Sequence, residues 1–120
     1  MKLTKPIAFF DIESTGVDPS KDRIVEIAII RFDDDLMALG QGTSYRLNPT
    51  ILIPKEASDV HGITDEMVKD CPTFKQAYDN ILADLEGCDL GTFNGISFDI
   101  PMLNAEFARV NINFPLEGNL

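Results

Sequence analysis

Apolar residues in this chain fall into short blocks whose spacing changes part-way along. Ile7-Ala8-Phe9-Phe10 is a compact apolar run ending at Asp11, the pattern of a buried strand that delivers a carboxylate at its tip. The turn-rich segment Ser14-Thr15-Gly16-Val17-Asp18-Pro19 follows. Arg23–Phe32, rich in Ile and Val, predicts a second strand that stops at the acidic run Asp33–Asp35. That run predicts a hairpin turn, with a third strand around Gly42–Leu47. Three strands with short connections predict an antiparallel meander.

The pattern then lengthens from period two to helical spacing. Ile51–Ile63 reads as a loop with Pro54 and Gly62, holding at most a short helical turn, and Thr64 is placed to cap a brief helix over Asp65–Lys69. Pro72-Thr73 opens a clearer helix, with Phe74, Ala77, Tyr78, Ile81, Leu82 and Leu85 on one stripe and Gly87 at its end. Cys88–Phe93 predicts a fourth strand. A last helix is expected from about Phe98 to Val110, with Ile100, Leu103, Phe107 and Val110 on one face and Pro101 tolerated in the first turn. The order is three strands, a helix, a strand and a helix, with no internal repeat or linker. The chain closes on Glu117-Gly118-Asn119-Leu120, where another strand is expected to begin, so residues 1–120 are read as the N-terminal part of a single domain.

Composition narrows the class. With 120 residues, 44% of them hydrophobic and 25% charged, the chain is able to bury a core and is not compositionally disordered. No apolar run approaches the ~20 residues that span a bilayer, and the N-terminus lacks the features of a secretory signal. The reading is a soluble, cytoplasmic protein. Cys71 and Cys88 match no zinc or redox spacing and are expected to be reduced thiols. A formal net charge of −10 argues against general nucleic-acid binding by phosphate neutralisation. A cluster of acidic side chains around divalent cations would reverse that sign locally.

The sharpest chemistry lies in Phe10-Asp11-Ile12-Glu13-Ser14-Thr15-Gly16. Residues two apart on a strand share a face, so Asp11 and Glu13 project together. Two such carboxylates repel unless neutralised, and Mg²⁺ or Mn²⁺ take oxygen ligands. A solvated strand end is the plainer alternative. About eighty residues later, Asn94-Gly95-Ile96-Ser97-Phe98-Asp99 ends another apolar strand and presents a carboxylate in the first turn of a helix. Taken singly, Asp99 reads as a helix-start acid favoured by the helix dipole.

Taken together, Phe-Asp-Ile-Glu-Ser-Thr-Gly followed by Asn-x-x-x-Phe-Asp resembles the first two signature motifs of the DEDD (DnaQ-like) 3′→5′ exonuclease family. Between them, Val60-His61-Gly62-Ile63-Thr64 is similar to a segment common in the family's proofreading-subunit branch. The resemblance covers nearly the whole chain. It implies an α/β, ribonuclease H-like mixed sheet with flanking helices, whose C-terminal strand and helices these residues lack. Strands one to three would be antiparallel, with the fourth parallel beside the first. It also implies removal of nucleotides one at a time from single-stranded 3′ ends of DNA or RNA, with two Mg²⁺ or Mn²⁺ ions per complete site. By matched motif, Asp11, Glu13 and Asp99 would be catalytic metal ligands. Substrate contacts would come from Ile12, Ser14, Thr15, Glu56, His61, Asn94 and Phe98. Partners would be nucleic-acid 3′ ends and a polymerase or other replication or repair protein, with no membrane. For His61 the alternative is loop structure, a ring hydrogen-bonded to its own backbone. For Phe98 it is core packing.

Two departures stand out. Many relatives have His before the Asn of the second motif, where this chain has Phe93. The third motif, His-x-x-x-x-Asp or Tyr-x-x-x-Asp, would supply a general base and a fourth carboxylate, and nothing after Asp99 matches it. His61 is the only histidine, while Glu106 and Glu117 lack the required context. Residues 1–120 alone are therefore expected to be a poor nuclease. Two other classes stay open: a non-catalytic interaction domain on the same fold, and an aspartate-nucleophile phosphatase, whose Asp-x-Asp-x-Thr the first motif faintly resembles.

Overall fold

The computed structural model describes residues 5–32, 42–92 and 98–113. Its elements run β1 (Ile7–Ser14), β2 (Ile24–Phe32), β3 (Thr43–Arg46), α1 (Lys55–His61), α2 (Asp65–Val68), α3 (Phe74–Leu85), β4 (Asp89–Thr92) and α4 (Asp99–Arg109). The strands form one sheet in the order β3-β2-β1-β4. The meander is antiparallel as expected, and β4 pairs with β1 in parallel. A parallel neighbour needs a crossover, and α3 lies within it.

Alternation along β1 decides which residues reach the core. Ala8, Phe10 and Ile12 are buried together with Ile27 and Ile29 of β2 and Leu90 of β4. The same cluster takes in Phe74, Ala77, Ile81 and Leu85 of α3 and Ile100, Leu103 and Phe107 of α4. Both helices thus cover one face of the sheet with the stripes their spacing predicts. Phe74 and Phe107 meet edge to face between them, centroids 5.2 Å apart. On the other face the cross-strand pairs are Phe9 with Ile30, Asp11 with Ala28 and Glu13 with Glu26. Phe9 and Phe32 stack edge to face there, at 5.6 Å.

β1 is longer than its apolar run. It continues through Asp11 and Glu13 to Ser14 because β2 pairs with it along that whole length, so Asp11 sits within the strand and not at its tip. A register shift at the Glu13/Ser14 step ends the regular ladder. Beyond it Ile24 joins the main core, while Val25 joins a second cluster with Ile53, Ile63 and Val68. That cluster seats the α1–α2 segment against the end of the sheet.

The segment read as a loop contains the seven-residue helix α1. It stops where Gly62 turns left-handed at φ 77° and donates its N–H to Ser58 O. Thr64 caps α2, as expected. Thr73 and Gln76 form a reciprocal capping box at the start of α3, which accounts for its sharp beginning. Cys71 and Cys88 are free thiols. No helix among the described residues is long and apolar enough to cross a membrane. The predicted turn at Asp33–Asp35, Phe93, the Asn94–Ser97 part of the second motif and Glu117–Leu120 lie outside the described residues.

Candidate active site

Asp11 and Glu13 stand on the same face of the strand, two residues apart and half-buried. Asp11 lies in the wall of a shallow, largely apolar cleft formed by Phe9, Ala28, Ile30 and Phe32. Glu13 opens into a neighbouring cleft of about 260 Å³ that it shares with Ile12, Ser14, His61 and Phe98, and with Val17 and Val60 at its rim. Burial pushes the Glu13 carboxyl above its usual range. His61 opposes that shift, while Asp11 and Glu26 add to it. A cation beside Glu13 would relieve both the burial and the like-charge repulsion.

His61 closes this cleft from α1. Its Nε2 lies 3.0 Å from Ser14 O, and its Nδ1 lies 3.1 Å from Ile63 N. The Ile63 N–H donates, so Nδ1 must be the acceptor. The Ser14 carbonyl can only accept, so the proton sits on Nε2. The ring is therefore a latch between the first-motif strand and the Gly62–Ile63 turn. The alternative raised for it, a ring bound to its own backbone, is met at Nδ1, yet His61 also lines the cleft. Phe98 likewise does both: it lines the cleft and packs against the main core.

Around the strand end, polar groups are engaged within the protein. Thr15 is buried; its N–H donates to Arg23 O, and its hydroxyl donates to Asp22 Oδ1 at 2.9 Å and accepts from Arg23 N at 3.1 Å. Ser14 Oγ donates to Gly16 O. Asp22 Oδ2 also takes the Asp18 N–H at 2.9 Å. A Cβ on Gly16 would fall 2.4 Å from Asp22 Oδ2, which explains the glycine at the end of the motif. Asp22 was not singled out from sequence, where it looks like one more loop acid.

Glu106 is the other supporting residue that sequence did not reveal. Only 3% exposed, it accepts from Ile24 N at 2.8 Å through Oε2 and from Arg109 Nη1 at 3.2 Å through Oε1. Arg109 in turn donates to Pro19 O and Asp22 O. This chain of bonds fastens α4, whose first residue is Asp99, to the turn after β1.

The remaining candidates divide. Asp99 is fully buried in the first turn of α4, directly after the cleft residue Phe98. Glu56 is exposed in the first turn of α1 and does not line the cleft with His61. Asn94 lies outside the described residues. The donor set Asp11, Glu13 and Asp99 is all carboxylate oxygen, which suits a hard divalent ion. Among the described residues, no three acidic, histidine or cysteine side chains are already gathered closely enough to hold one. The chemistry fits such an ion, with the ligand set still partial.

The family model for exonucleases of the RNase T type matches residues 8–119. This chain belongs to the exonuclease family. It is 36% identical over 108 residues to the DNA polymerase III subunit epsilon of Rickettsia prowazekii, covering 87% of this chain and 46% of that protein. It is 31% identical over 111 residues to a PolC-type DNA polymerase III of Mycoplasma genitalium, covering 92% of this chain and 7% of that protein. The chain thus spans less than half the length of these relatives. Exonuclease I of Methylocaldum szegediense superposes with a TM-score of 0.81 at 25% identity, over 88% of this chain and 24% of that one. E. coli exonuclease I, solved with a dT13 oligonucleotide, superposes at 0.80 with 21% identity, over 89% of this chain and 24% of that one. The ribonuclease H-like mixed sheet expected from the motifs is the fold of these exonucleases.

Proposed function

We propose that this chain carries the nucleotide-binding side of a metal-dependent 3′→5′ exonuclease site that releases nucleoside monophosphates from nucleic-acid 3′ ends. The observation that carries this reading is the placement of Asp11 and Glu13 on one face of the central strand, with Glu13 opening into a cleft walled by Ser14, His61 and Phe98. The family match and the exonuclease fold support it. A single-stranded DNA substrate is favoured because a structural relative was solved with dT13. Polymerase III subunits among the relatives favour a replication or repair protein as partner.

Divalent cations bound by Asp11, Glu13 and Asp99 would supply the positive charge that activates water and stabilises the departing 3′ oxygen. The chain's own residues have separate tasks. Phe98, Val17 and Val60 give the terminal base an apolar surface. Asp22 and Thr15 hold the end of β1 in place. His61 positions Ser14 and is not a general base, because both its ring nitrogens are committed.

The test is calorimetric titration of thymidine monophosphate with and without Mn²⁺. Binding that requires Mn²⁺ and disappears in Asp11→Ala is the expected outcome. Binding that ignores both Mn²⁺ and Asp11 would sink the reading. The partial ligand set among the described residues favours a second reading, a non-catalytic interaction domain of the same fold. That reading expects no Mn²⁺ binding at all. The phosphatase alternative expects a phosphoenzyme on Asp11, which acid-quenched labelling would detect.

A further inference from the structure

One row of side chains across the sheet sets charges in an order that folding alone does not favour. Glu13 of β1 stands directly opposite Glu26 of β2, and Glu26 stands directly opposite Arg46 of β3. Opposed residues on neighbouring strands share a face, so all three lie on the side away from α3 and α4. That is also the face of Asp11, whose own row continues through Ala28 and Ser44 and brings it no countercharge.

Like charges placed directly opposite each other destabilise a sheet, and Glu13 and Glu26 are both half-buried, where salt screens them less. The arrangement is answered from one side. Arg46 Nη2 lies 3.1 Å from Glu26 Oε1 and ties that carboxylate to β3. Across the ladder Glu13 meets only another acid.

Distance decides the net effect. Neighbouring strands lie about 4.8 Å apart, so Glu26 is one strand spacing from Glu13 and Arg46 is two, about 10 Å. A cation at Glu13 is therefore drawn by Glu26 more strongly than it is repelled by Arg46. Direct ligation by Glu26 is not what the geometry offers, since no three acidic, histidine or cysteine side chains among the described residues gather closely enough to hold an ion. What Glu26 brings is its charge.

We propose that Glu26 is a positioning residue of the cation site: tethered by Arg46, it tightens a divalent ion at Asp11 and Glu13 through its charge, without ligating it. This inference rests on the exonuclease reading above and gives a task to a residue outside both motifs. It explains why an acid stands where a neutral residue would make the sheet more stable: the repulsion is relieved when the ion arrives.

The experiment is calorimetric titration of Mn²⁺ into the 120-residue chain for wild type, Glu26→Gln, Glu26→Asp and Arg46→Gln, with Asp11→Ala as the control for the site. Glu26→Gln and Arg46→Gln break the same ion pair, yet they move the affinity in opposite directions. Glu26→Gln weakens Mn²⁺ binding about three- to tenfold, the effect of one charge about a strand spacing away in a water-screened site. Arg46→Gln, acting from about twice that distance, tightens it roughly twofold, which only a folded chain can do. Glu26→Asp keeps the charge and stays within about twofold of wild type. The first two differences shrink as salt is raised. Equal losses of affinity in Glu26→Gln and Arg46→Gln would make the pair a structural brace and overturn this inference. Wild-type affinity in Glu26→Gln, with binding abolished in Asp11→Ala, also overturns it and leaves the exonuclease reading standing. Wild type that binds no Mn²⁺ overturns both.

Discussion

At the scale of single residues, the candidate site is held in shape by side chains bonded within the protein. Asp22 orders the turn after Glu13 by accepting from Thr15 Oγ1 and from Asp18 N, and it leaves no room for a Cβ at residue 16. Its carboxylate is short and doubly bonded, so it cannot swing aside. Gly16→Ala is therefore expected to cost about 1–3 kcal/mol, read as a lowered urea midpoint with unchanged m-value. An unshifted midpoint would mean that the turn relaxes freely. His61 shows how a motif residue carries two meanings. From sequence it was equally a substrate contact or a loop fastener; the two ring-nitrogen bonds make it a fastener that also walls the cleft.

At the scale of elements, two ties set the geometry that the motifs need. The first is Glu106, which bonds α4 to the start of β2 and to Arg109. Removing one partner of a buried pair leaves the other uncompensated, so Glu106→Ala is expected to destabilise the chain by roughly 3–5 kcal/mol, with Glu106→Gln milder because it still accepts from Ile24 N. Equilibrium denaturation of the two variants checks the order; equal effects would exclude the charge as the cause. The second tie joins β3 to α3, where Tyr45 donates to Asp84. Burial, and then the bond to Asp84 and its charge, push the Tyr45 hydroxyl from 10.0 up to about 12. A raised folded-state value means that the native chain holds this proton more tightly than the unfolded one. The contribution is whole below pH 10 and is lost as pH rises through about 12. Thermal melts between those values should show a falling midpoint in wild type and a flatter one in Tyr45→Phe. Parallel curves would remove Tyr45 as the source.

At the scale of the molecule, the sheet keeps its two faces for different work. Helices α3 and α4 seal one face, and the other presents Asp11 in an apolar wall, where low polarity strengthens any charge pairing at the carboxylate. Nothing after Asp99 in these residues matches a third motif, and the only histidine is already committed. The 120-residue chain is accordingly expected to hydrolyse a 3′-labelled oligonucleotide roughly 10²–10⁴-fold more slowly than a family member with a general base. Comparable turnover that Asp11→Ala abolishes would show that the base lies elsewhere.

What was legible in sequence was local. The apolar run Ile7–Phe10 and the helical stripes of α3 and α4 follow from which side chains must leave water, and each is decided within a few residues. The spacing of Asp11 and Glu13 puts them on one face of any strand they occupy. The family pattern across both motifs pointed to the ribonuclease H-like sheet. What only the tertiary structure decided lies in contacts between residues far apart along the chain. The ladder with β2 carries β1 past its apolar run, so that Asp11 lies mid-strand. Ile24 reaches Glu106 across 82 positions, and Arg109 reaches Pro19 across 90. A cavity lined by Arg23 and Lys75 draws its walls from four separate stretches of chain. Hydrophobic periodicity carries no record of such partners, because a buried salt bridge and a solvated one are written with the same letters, and only packing tells them apart.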